Sequence, residues 1–83
     1  MEEQKLLEAI VKAIVKNPDK VAIQKSIDDR GVLLRVWVAK EDMGGVIGKK
    51  GLHASAIKLI MKIAGRLGGR VVSVIIEEPQ QND

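Results

Sequence analysis

The sequence predicts a small α+β domain, and three observations carry that reading: helical periodicity at the N-terminus, two strand-like runs joined by a turn, and two helices separated by a Gly-x-x-Gly loop ahead of a last β-branched run. At 83 residues the chain closes one hydrophobic core, so residues 1–83 are read as one domain. Apolar residues make up 46% of it, yet there is one Trp and no Phe or Tyr, which leaves Val, Ile, Leu and Ala to build the core. A core of that kind is marginal alone, and pairing of two copies is expected.

From residue 3 to about residue 16, Leu6, Leu7, Ile10, Val11, Ile14 and Val15 recur at spacings of three and four between charged residues, the pattern of an amphipathic helix. Asn17-Pro18 ends it. Val21 to Ile27 alternates apolar with polar residues, and Asp28-Asp29-Arg30-Gly31 supplies a turn into a second run, so the two form a β-hairpin. In the second run Val32, Leu34, Val36 and Val38 share one face, assigned to the core, while Leu33, Arg35 and Trp37 share the other.

Glu41 or Asp42 can cap a short helix through Ile47 that Gly44-Gly45 weakens. Gly48-Lys49-Lys50-Gly51 interrupts it. A longer helix runs from about Leu52 to Leu67, with Ala54, Ile57, Ile60, Met61 and Ala64 as its apolar arc, and Gly68-Gly69 suits a left-handed C-terminal turn. Val71 to Ile76 reads as a buried strand. The folded core is expected over about 3–77, with a polar tail over 78–83.

The net charge of +3 conceals an asymmetry: from Met43 to Ile76 there are six basic residues and no Asp or Glu, so the flanks, with eight bases against eleven acids, sum to −3. Such segregation points to a polyanion site in one segment. A Gly-x-x-Gly bend between helices turns amide N–H groups and the second helix's N-terminus outward, where phosphate is attracted. Lys49 and Lys50 add positive charge there, and Val46 and Ile47 offer an apolar floor for bases. Other phosphate loops fail on spacing. A P-loop needs glycine where Lys49 or Lys50 stands, and the dinucleotide fingerprint needs one where Val46 or Ile47 stands.

The run Val46-Ile47-Gly48-Lys49-Lys50-Gly51, preceded by two strands and followed by an Ala/Ile/Leu-rich helix and a strand, resembles the KH domain. The helix-first order is similar to the type II arrangement, and residues 3 to 77 together resemble the small single-KH proteins of bacteria, the KhpA family. The resemblance implies the order α-β-β-α-(GxxG)-α-β, with a three-stranded mixed sheet and helices packed on one face. It implies a protein that clamps the backbone of single-stranded RNA, as a post-transcriptional regulator or RNA chaperone-like factor. A homodimer is implied as well, with a larger KH-containing RNA-binding protein as a further partner. Gly48 and Gly51 are carried over as the bend, Lys49 and Lys50 as backbone contacts, and Val46 and Ile47 as the groove wall. Gly45 stands where family members often carry a basic or long polar residue.

His53, in the first turn after the loop, is placed at the groove edge or in local packing, and Lys58 begins a stripe with Lys62 and Arg66 that either tracks RNA or is a solvated helix face. The lone His, the absence of Cys and the scattered carboxylates name no catalytic set, metal site or cofactor, so an enzyme is not expected. No apolar run suits a signal peptide or a membrane span, and a cytoplasmic protein is expected. The alternative is a protein-interaction adaptor that uses the same scaffold without RNA, favoured by the aliphatic helices and Trp37.

Overall fold

The computed structural model describes residues 2–78, and of the polar tail only Glu78 lies among them. The first periodic run forms α1 (Glu3–Ile14), which buries Leu7 and Val11. The Glu2 carboxylate caps it by accepting from the Gln4 amide at 3.0 Å. The helix stops two residues short of the expected Lys16, because Val15 is already extended. The amides of Lys16 and Asn17 leave the helix ladder to reach the Asp42 carboxylate, both at 3.0 Å.

Strands β1 (Ala22–Asp28) and β2 (Gly31–Trp37) pair antiparallel from Ala22 opposite Trp37 to Asp28 opposite Gly31, which leaves Asp29-Arg30 as a two-residue turn. The chain then runs through α2 (Met43–Ile47) and α3 (Leu52–Leu67) into β3 (Val72–Ile76). β3 lies parallel to β2, so the sheet is mixed, in the order β1-β2-β3. As expected, Val32, Leu34, Val36 and Val38 are buried. They form one cluster with Leu7 and Val11 of α1, Val46 of α2, and Ile57 and Met61 of α3, so all three helices serve a single face of the sheet. Among the described residues no helix is long and apolar enough to cross a membrane.

Three expectations need correction. Val71–Ile76 is not a wholly buried strand: β3 is an edge strand covered on one face, so Val72 and Val74 are buried while Val71 and Ile75 are 64% and 40% exposed. Ile60 falls outside the buried face of α3 and is 47% exposed, while Gly65, which was not among the expected arc, is buried on the inner face with Ile57 and Met61. A Cβ on Gly65 would sit 2.4 Å from Val72 Cγ2, so glycine lets β3 start close against the helix. Asp42, one of the two residues expected as a cap, stands at the N-cap of α2 but makes no side-chain cap to it. It instead accepts three hydrogen bonds from Lys16 and Asn17 and ties the start of α2 to the end of α1.

The Lys16 amide, followed against a desolvation penalty by the side-chain and backbone donors of Asn17, holds the Asp42 carboxyl below its ordinary value. A lowered carboxyl pKa stabilises the fold above the unfolded value, and that stability is lost as pH falls through the folded one. The denaturation midpoint should therefore decline below about pH 4. Asp42→Asn, whose amide would face a backbone donor, should lower the midpoint at neutral pH and flatten its fall in acid. At the other end of α1, the Glu3 carboxylate takes Arg70 Nη1 at 2.8 and 3.0 Å, fixing the helix to the segment that enters β3.

Candidate nucleic-acid interface

α2 is five residues long, and its end is set by glycine. The Gly48 amide donates to the Gly44 carbonyl at 2.8 Å, then Gly48 adopts φ 75°, ψ 171°, an extended conformation of positive φ that side chains do not tolerate. One tight turn follows, closed by the Gly51 amide on the Gly48 carbonyl at 3.1 Å. Within it Lys50 is left-handed at φ 56°, the one non-glycine residue of positive φ among the described residues, and Gly51 is left-handed at φ 75°. Strain of this kind is kept where the surrounding structure holds it, and concentrates at functional sites. A helical residue followed by a left-handed one also aims successive amides into a common concavity suited to an anion.

Lys49 and Lys50 are exposed at the tip. Ile47 is 37% exposed beside them and remains available as apolar wall. Val46 does not. Its side chain is completely buried in the central cluster, because the inward turn of α2 must anchor the loop to the core, so the groove-wall role expected for Val46 is corrected to a support beneath the loop.

His53 acts on the loop through the protein. Its Nδ1 lies 2.7 Å from the Gly45 carbonyl, and since a carbonyl only accepts, that nitrogen carries the proton. The ring covers Gly48 so closely that a Cβ there would lie 2.5 Å from His53 Cγ. His53 thus bridges the first turn of α3 to α2. Sequence reasoning placed His53 at the loop but did not find this bond, whose acceptor is a backbone atom. Gly45 has open space around its Cβ position, and contributes its carbonyl.

Beyond the loop, α3 divides into three faces. Ile57, Met61 and Gly65 point inward; Ser55, Lys58, Lys62 and Arg66 form an exposed polar stripe continuing from the loop; Leu52, Ala56, Leu59, Ile60, Ile63 and Leu67 form an exposed apolar stripe. Among the described residues no carboxylate pairs with Lys49, Lys50, Lys58, Lys62 or Arg66, so their charge is available to a ligand. A cleft of about 460 Å³ lies elsewhere, at the hairpin between Lys25, Asp28, Arg30 and Arg70, and mixes both signs of charge. Trp37 is partly exposed on the open sheet face.

A short helix, a glycine-framed bend, a long basic helix and a three-stranded mixed sheet in this order match the KhpA/KhpB KH-domain family model over residues 4–76, which spans all but the first residue of the helices and strands described above. The chain belongs to the KhpA/KhpB KH-domain family. Its relatives in that family include the RNA-binding protein KhpA of Clostridium acetobutylicum, 42% identical over 74 residues that cover 88% of this chain and 99% of that protein. The KhpA of Streptomyces coelicolor is 41% identical over 86% of each chain, and that of Mycobacterium leprae 36% identical over 90% of each. The KhpA/KhpB fold accounts for the helix-first order and for the parallel β2–β3 pair, since the long crossover through α2, the loop and α3 returns the chain to the same sheet.

Proposed function

We propose that the chain binds single-stranded RNA, with Gly48 to Gly51 as a clamp on the sugar-phosphate backbone. The observation that carries this is the loop itself: a tight turn framed by Gly48 and Gly51 with left-handed backbone at Lys50, two exposed lysines that have no carboxylate partner among the described residues, and an acid-free segment behind them. Lys49 and Lys50 supply charge, Ile47 offers apolar contact to a base, and Lys58 extends the contact along α3. His53 and Val46 hold the clamp in place. The names of the relatives, RNA-binding proteins, support the same reading.

One clamp of about four nucleotides gives modest affinity. Useful affinity then comes from two copies, and we place the dimer surface on the apolar stripe of α3, where Leu67 is 86%, Leu52 65% and Leu59 57% exposed with no charge among them. A stripe of this make-up offers several hundred Å² per copy, near the lower end of a stable interface at about 1,200 Å² in total. A larger KH-containing RNA-binding protein is a further candidate partner. The cellular role that fits is a cytoplasmic post-transcriptional regulator or RNA chaperone-like factor.

Titration of labelled oligouridylate against wild type and a Lys49→Asp, Lys50→Asp double variant tests the clamp. Aspartate tolerates the left-handed conformation at position 50, so the fold should persist. Affinity should drop at least tenfold in the variant, and the wild type should weaken as salt rises while the variant responds less. Equal binding by a folded variant would remove the proposal.

A further inference from the structure

The apolar stripe of α3 is symmetric about the helix midpoint. Leu52 and Leu67 lie at its ends, Ala56 and Ile63 within them, and Leu59 and Ile60 at the centre, so a second copy laid antiparallel pairs Leu52 with Leu67, Ala56 with Ile63 and Leu59 with Ile60 across a two-fold axis. Antiparallel packing also opposes the two helix dipoles and keeps the two Lys49-Lys50 tips apart, whereas parallel packing would bring four lysines together. The axis stands perpendicular to both helices. An operation of that kind leaves a face beside the interface on the same side of the pair, so the stripes of Lys58, Lys62 and Arg66 from both copies lie on one surface.

Resting on the RNA-binding reading above, we infer that the pair holds two single-stranded RNA segments running in opposite directions across one basic surface. The 16 residues of α3 put the two loops at opposite ends of the paired helices, about 24 Å apart at 1.5 Å per residue. The two-fold axis reverses every direction lying in that surface, so whichever way the backbone runs through one clamp, it runs oppositely through the other. The ligand class is therefore a strand that folds back, or two strands side by side, rather than one straight strand. Bound RNA neutralises both stripes together, so RNA binding and pairing favour one another.

The test uses the full chain and two RNA hairpins, one with a single unpaired oligouridine arm and one with both arms, which leave a stem antiparallel. The wild type should sediment as a dimer and bind the two-arm RNA at least tenfold more tightly than the one-arm RNA. Leu59→Gln with Ile63→Gln, neutral changes at exposed positions of α3, should give a folded monomer that keeps one-arm affinity and loses the gain. The chain has no cysteine, so a nitroxide on Lys49→Cys labels one site per copy, and the pair should be separated by about 24 Å or more. A monomeric wild type, equal affinity for the two RNAs, a gain that persists in the monomeric variant, or labels at about 10 Å as parallel packing requires would each overturn the inference. Failure to bind either RNA would instead overturn the clamp.

Discussion

Gly48→Ala should cripple RNA binding, and Gly51→Asn should leave most of it. The two glycines of one motif are needed for different reasons. Gly48 occupies φ 75°, ψ 171°, a region that costs a side-chain-bearing residue about 1–3 kcal/mol, and an added Cβ would also lie 2.5 Å from His53 Cγ and 2.8 Å from Nδ1. The variant must flatten the bend or expel the imidazole that bridges to Gly45, and either outcome redirects the loop. Gly51 is ordinary left-handed backbone at φ 75°, ψ 16°, with nothing within 4 Å of a Cβ position. Alanine there should cost about 1–2 kcal/mol, and asparagine less, since its short polar side chain tolerates this conformation. Titration with oligouridylate should show a loss of tenfold or more for Gly48→Ala and a loss of about threefold or less for Gly51→Asn. Thermal unfolding should separate loop damage from global destabilisation. If Gly48→Ala binds like wild type, the His53 bridge does not set the loop.

The second large effect falls on stability. Leu34 lies on the central strand, is completely buried, and faces the cluster to which all three helices contribute. Leu34→Ala should cost about 2–5 kcal/mol, because neighbours on three helices cannot all collapse into the space left behind. A domain of this size has roughly 5–15 kcal/mol in total, so Tm should fall by at least about 10 °C. Leu33→Ala, one residue earlier and on the open face, should cost about 1 kcal/mol or less. The contrast between adjacent leucines checks the facing of β2, and equal losses would contradict it.

Much of the fold was legible because its elements have a single period. The two-residue alternation of Val32, Leu34, Val36 and Val38 identified the core face of β2, and the limits read for the long helix, Leu52 to Leu67, are those observed. The C-terminal turn at Gly68-Gly69 also formed as read: Gly69 is left-handed at φ 76°, and the Gly69 and Arg70 amides return to Arg66 and Gly65 at 2.9 and 2.8 Å. Periodicity misled where α3 carries two apolar arcs. Nothing in the spacing of Ile57, Ile60 and Met61 says which arc meets the sheet and which meets solvent, and Ile60 fell on the outer one. One signal was present and unused: Gly65 within a helix marks a close approach, here of Val72.

The loop divides the same way. Its glycines and lysines are contiguous and could be recognised from their spacing. Its supports are not, because they join distant positions through backbone atoms or charge: His53 to the Gly45 carbonyl, Asp42 to the Lys16 and Asn17 amides, and Glu3 to Arg70, 67 residues away in sequence. Val46 was misassigned for a related reason. In a five-residue helix every side chain lies near the loop, and only the packed structure separates inward Val46 from half-exposed Ile47.

The most direct measurement of the clamp is a map of backbone amide chemical shifts as oligouridylate is added to the folded protein. The largest changes should fall on Gly48 to His53 and continue along Ser55, Lys58 and Lys62, with β1 and the open sheet face around Trp37 unmoved. Changes centred on the hairpin cleft or on Trp37, with Gly48 to Gly51 unaffected, would contradict it.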